Sequence, residues 1–219
     1  MLATSTPGTC GCPVFPAKPP VTALSRAAAV PPAPTLRGDL AVWVFILAEL
    51  LAFGVFFLAY AFARARHPAV FDAAQAELDR HAGALNTLLL VSSSAFVAHA
   101  VALIRSAAAQ ASRRAAHSLL GAIACALGFI VVKGHEYATH FAAGMELSSN
   151  TFSMFYLGLT GFHFFHVLLG LAVLSILWRQ TARGAYTPVN ANGLESGAAY
   201  WHMVDLVWLV LFPLVYVMR

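Results

Sequence analysis

Residues 40–63 read LAVWVFILAELLAFGVFFLAYAFA, a run of 24 positions in which Glu49 is the one charged side chain. As a helix this run rises ~36 Å, enough to cross ~30 Å of hydrocarbon with some tilt. Asp39 precedes it, and Arg64 and Arg66 follow, where long cationic side chains snorkel into headgroups. Nothing in a water-soluble core requires such a stretch, so this segment decides the fold: a first membrane span over about 39–62.

Four more stretches pass the same test. They cover about 85–104, 117–138, 151–177 and 196–218, interrupted by polar residues chiefly in the third and the last. Between the first two, FDAAQAELDRH at 71–81 predicts a short interfacial helix. Ser92, Ser93, Ser94 and Ala95 are small enough to let a neighbouring helix approach closely. Pro213 predicts a kink or local loosening near the end of the last span. Residues 1–37, rich in Pro, Ala, Ser and Thr, cannot bury enough apolar surface to offset their ordering entropy and read as a disordered tail. They show no secretory-signal pattern. The expected fold is an all-α integral membrane bundle of five transmembrane helices over 38–219, preceded by that disordered N-terminal tail.

Bulk composition agrees. Of 219 residues, 60% are apolar and 10% charged, against about 25% charged in soluble domains. Mean hydropathy is +0.74. The net charge of +4 does not imply nucleic-acid binding, because no basic run exceeds Arg113–Arg114. The basic residues read as topology signals instead. The tail, second loop and fourth loop hold Lys18, Arg26, Arg37, Arg105, Arg113, Arg114, Arg179 and Arg183, whereas the other side holds Arg64, Arg66, Arg80 and Arg219. This bias predicts a cytoplasmic N-terminus and a periplasmic C-terminus. Cys10, Cys12 and Cys125 form no disulfide framework and read as inert thiols.

The informative residues are polar ones at membrane depth. Glu49 lies ~15 Å into its span, so it is expected to face the bundle or a lipid cavity, as a proton carrier or as a hydrogen-bond anchor. His163 and His166 share one helix face, as do His202 and Asp205, and depth arithmetic allows the two pairs to meet at one level. Three imidazoles and a carboxylate would suit a metal, or a neutral network fixing helix register. Lys133, His135 and Glu136 fall near the headgroups, where Lys133 is expected to snorkel outward and Glu136 to pair with it or with another helix. Trp43, Tyr60, Tyr137, Tyr156, Trp178, Tyr200 and Trp201 read as interfacial anchors.

The blocks VWVFILAELLAFGVFFLAY, LNTLLLVSSS, GHEY, TGFHFFHVLLG and YWHMVDLVWLVLFPLVY, in this order and spacing, resemble subunit III of the haem–copper cytochrome c oxidases. With five spans, the chain resembles the branch that includes quinol-oxidase subunit III and the NorE proteins of nitric oxide reductase operons, and its strings are most similar to the NorE type. The resemblance implies a non-redox accessory subunit of a respiratory enzyme in the bacterial inner membrane. It implies bound phospholipid, with support for complex stability and proton uptake. It also implies a catalytic partner subunit that carries the haem and metal, none being held by this chain. The family's buried carboxyl corresponds to Glu49, preceded here by Ala48 rather than Ser. Its E-Y pair corresponds to Glu136–Tyr137, its G-F-H-x-x-H-V to Gly161–Val167, and its W-H-x-V-D to Trp201–Asp205. Glu195 matches a family glutamate. No catalytic residue is implied. The polar set Glu49, His135, Glu136, His163, His166, Glu195, His202 and Asp205 is expected to form buried networks or lipid and partner contacts.

A different class, a stand-alone transporter or proton-conducting protein, would also use intramembrane Glu and His. Against it, the spans show no internal repeat and no paired broken helices. A haem-ligating core is disfavoured by the lack of C-x-x-C-H and of histidines spread over several helices.

Overall fold

The computed structural model describes residues 39–106, 108–144 and 150–218. The proposed disordered tail, with Cys10 and Cys12, lies outside the described residues. The described residues form six α-helices in order: α1 (Leu40–Arg66), α2 (Pro68–Ala76), α3 (Arg80–Arg105), α4 (Ala111–Ala142), α5 (Thr151–Ala182) and α6 (Asn192–Phe212). A π-helical turn, Pro213–Val217, extends α6. Among the described residues five helices are long and apolar enough to cross a membrane: α1, α3, α4, α5, and α6 with its π turn. The expected spans fall within these helices apart from a residue or so at an end, and several run four to six residues further, because apolar windows miss polar helical ends. The short helix α2 begins earlier than expected, at Pro68, a residue suited to the first helical position.

Local chemistry sets the starts. The Asp39 carboxylate accepts from the Ala41 N–H, Asp79 from His81 and Ala82, and Asn150 from Ser153, each satisfying otherwise orphaned helix donors. The helices alternate in direction. At one end the Asp39 N–H donates to Ser196 Oγ (2.9 Å), and Arg105 pairs with Glu195. At the other, Arg64 bonds the Met218 carbonyl.

The bundle is centred on α6, with 56% of its apolar window buried, whereas α1 has only 11% buried and lies at the periphery. The most extensive contact joins α3 to α4. There Ser93 donates to the Ala122 carbonyl (2.9 Å) and Ser118 to the Phe96 carbonyl (2.8 Å), a reciprocal pair that draws the two backbones together. Ser93 and Ser94 are buried as the small-residue reading expects, whereas Ser92 and Ala95 are exposed. Gly170 faces the Trp201 ring so closely that a Cβ there would sit 2.7 Å from it. On the α5–α6 loop Tyr186 is buried, which pushes its phenol's pKa up, and it donates to Gln180 Oε1 as a neutral group.

Pro213 loosens the last span as expected, and the structure shows how this is compensated. The Met218 N–H reaches back five residues to the Pro213 carbonyl (2.9 Å). Gln75 of α2 donates to the carbonyls of Val215 (2.8 Å) and Leu214 (3.3 Å) and to Tyr60 Oη (3.0 Å). In hydrocarbon every such carbonyl needs a partner.

Candidate functional site

Two polar clusters lie inside the bundle. The first joins α1 to α5. His166 Nε2 stands 3.1 Å from Glu49 Oε2, and its Nδ1 stands 2.8 Å from the Phe162 carbonyl one turn earlier. A carbonyl only accepts, so Nδ1 carries a hydrogen. Nε2 then either accepts from a protonated Glu49 or, as part of an imidazolium, donates to its carboxylate. Both states place one proton between Glu49 and His166. Phe162 and Phe53 pack against the imidazole with ring centroids 4.6 and 5.3 Å away, and Tyr200 donates to the His166 carbonyl. Tyr200 also borders an apolar groove of about 300 Å³ between α1, α5 and α6, with Phe45, Leu169 and Val173 among its walls.

The second cluster joins α4, α5 and the π turn. Lys133 donates to Glu136 Oε1 (3.0 Å), to Tyr156 Oη (3.1 Å) and to Tyr216 Oη. Both tyrosines donate in turn to Glu136 Oε1, at 2.5 Å each. All three ammonium hydrogens are thereby used. The rings of Tyr137, Tyr156, Tyr216 and Trp208 surround the cation at 4.9–5.8 Å, within cation–π range. Lys133 is fully buried and does not snorkel: the tyrosine hydroxyls and Glu136 replace the headgroup water it would otherwise seek.

The two histidine-bearing pairs do not meet as one site. His163 is buried among Phe53, Phe129 and Trp208, with neither ring nitrogen hydrogen-bonded. Asp205 is buried beside Ser94 of α3, with Oδ1 unpartnered, while His202 is exposed one turn earlier. Equal depth does not give equal azimuth, and rotation about the helix axes separates the groups. Among the described residues no group of three or more His, Cys, Asp or Glu could hold a metal ion. His135 is exposed rather than part of a buried network, and borders a cavity with Glu77, Asp79 and Glu136. Glu195 is engaged by Arg105. The anchoring belt is mostly interior: Tyr60, Tyr156, Tyr200 and Trp201 are buried, because their polar tips have protein partners or their rings pack between helices.

Sequence reading missed Gln75, Tyr216 and Thr160 altogether. Thr160 accepts from Tyr137 Oη (2.9 Å), linking α4 to α5. Gln75 was signalled by Pro213, since a broken helix in lipid requires outside donors, whereas no sequence signal marked Tyr216.

These features define a class: a multi-pass membrane bundle whose interior polar side chains tie helices together. The sequence profile of the family described as cytochrome c oxidase subunit III matches residues 35–219. Cytochrome c oxidase subunit 3 of Synechocystis sp. is 37% identical over 178 residues, 81% of this chain and 74% of that protein. The subunit 3 of Thermostichus vulcanus is 31% identical over 180 residues, 82% and 86% of the two chains. That of Marchantia polymorpha is 37% identical over 132 residues, 60% of this chain and 48% of its own length. The chain belongs to the cytochrome c oxidase subunit III family.

Proposed function

We propose that this protein is a non-redox accessory subunit of a respiratory haem–copper enzyme in the bacterial inner membrane, with its N-terminus cytoplasmic. The observation that carries this reading is the match of the family over all the described residues, joined to an interior whose ionisable groups serve helix contacts. Haem and metal reside in the partner's catalytic subunit. An oxidase is the favoured partner, since the relatives bear that name; a nitric oxide reductase is the alternative partner of the five-helix branch.

Within the complex, the apolar groove between α1, α5 and α6 seats a phospholipid acyl chain. Its walls are hydrocarbon at membrane depth, and α1 is packed lightly enough to flank a lipid. The adjoining Glu49–His166 pair holds one proton on the lightly packed edge of the bundle and serves the partner's proton uptake as a local reservoir. The chain itself performs no redox step.

Purification of the tagged protein in mild detergent, followed by optical spectroscopy, tests the assignment. A co-purifying a-, o- or b-type haem–copper spectrum supports the oxidase reading. Haem b with non-haem iron selects the reductase. A preparation free of haem protein, combined with proton flux by the isolated chain in proteoliposomes, would replace the accessory role with the transport reading.

A further inference from the structure

A second cavity, of about 620 Å³, lies between the start of α4 and the end of α5, away from both polar clusters. Arg113 and His117 of α4 and Arg183, just past α5, border it, and Ala116, Leu120 and Trp178 supply apolar walls. No carboxylate lines it, and neither arginine forms an ion pair among the described residues. His117 Nδ1 is committed to the Arg113 carbonyl (2.8 Å), so Nε2 is the ring's remaining polar edge.

The backbone adds to this positive field. The N-cap of α4 is Gln110, held in the left-handed region at φ 63° with no side-chain cap, and the first turn contains no acid. The Ala111 N–H donates to the Ala108 carbonyl (3.0 Å), but no acidic side chain in the first turn offsets the positive end of the helix dipole. Below this head the lining turns apolar. Ala111 to Leu120 spans ~14 Å along the helix, which takes the cavity from the membrane boundary into hydrocarbon. Trp178, one turn before the end of α5, sits where indole rings favour the interface.

We propose that this pocket seats an anionic phospholipid, with its phosphate between Arg113 and Arg183 at the head of α4 and an acyl chain along Leu120 and Trp178. A soluble anion would leave the apolar wall unused, and a zwitterionic lipid would bring a cation against two arginines. The site differs from the groove beside α1, which has no charged lining residue. It depends on the functional reading only in placing the pocket at a bilayer boundary. Co-purification of a haem partner is scored separately, so either idea can fail alone.

The full chain, with any bound partner, is reconstituted in phosphatidylcholine vesicles containing phosphatidylglycerol, and retained lipid is counted by native mass spectrometry. Each interfacial arginine contributes roughly a five-fold preference, so R113Q/R183Q is expected to lose about twenty-five-fold in phosphatidylglycerol selectivity. R114Q/R179Q removes equal charge outside the pocket and is expected to retain the selectivity. R113K/R183K, which keeps the charge, recovers most of it. Inorganic phosphate is expected not to displace the lipid. Equal loss in the two glutamine variants, unchanged selectivity in R113Q/R183Q, or displacement by inorganic phosphate each overturns the proposal. All four arginines are exposed, and melting in pure phosphatidylcholine checks that every variant folds alike.

Discussion

Replacing Glu136 by leucine removes the single oxygen on which Lys133, Tyr156 and Tyr216 converge. Two buried phenols then lose their acceptor, at about 1–3 kcal/mol for each orphaned donor. Lys133 keeps its contacts to the two tyrosine oxygens and its aromatic surround, which soften the loss of its counter-charge. Breaking one side of a buried pair costs about 3–5 kcal/mol, and this is the expected destabilisation of E136L. K133M should cost a similar amount. The double variant K133M/E136L leaves only the two hydroxyls unpaired, so it should cost less than half of the two single effects combined. Unfolding by SDS titration in mixed micelles measures this, with Trp208, 5.8 Å from the ammonium, as a fluorescent reporter of the cluster. Typical interhelical hydrogen bonds in membranes contribute only about 0.6 kcal/mol. An E136L penalty below about 1 kcal/mol, or single effects that simply add, would refute the view that this cluster is a coupled, desolvated ion pair.

Gln75→Ala leaves the Leu214 and Val215 carbonyls without their donor; we expect about 1–3 kcal/mol of destabilisation, with faster hydrogen exchange confined to the π turn and the end of α1. Gly170→Ala forces a methyl against the buried Trp201 ring and should cost about 1–3 kcal/mol, whereas Gly158→Ala, which meets open space, should be near neutral in the same titration. Glu49→Ala should leave the fold intact but shorten the active lifetime of the partner enzyme during turnover; unchanged inactivation kinetics of the mutant complex would remove Glu49 from that role.

The membrane architecture was legible because hydrocarbon imposes a length and composition that 40–63 and its four counterparts meet without ambiguity. The depth of each polar residue was legible too, since rise per residue is fixed. Azimuth and partner choice were not. His166 and His202 both lie at membrane depth, yet one turns inward to Glu49 and the other outward, because facing depends on how α5 and α6 rotate against their neighbours. Lys133 resembled a snorkelling end residue because the acceptors that hold it inward, Tyr156 and Tyr216, come from 23 and 83 positions away. Gln75 looked like one more polar residue of an interfacial helix for a related reason: its task is set by a proline 138 positions later.

The uneven burial of the spans bears on how the protein is made. Of the five described spans, α1 is the most apolar and the least dependent on protein neighbours, so it can wait in lipid alone. The last, α6, is the least apolar and the most enclosed, and its end brings Tyr216 to Lys133 and Glu136. Until α6 is in place, that ion pair lacks one of its hydroxyls, and Ser94 lacks its neighbour Asp205. A chain stopped before residue 192 would therefore display these polar groups to the bilayer, so closure of the bundle interior waits on α6.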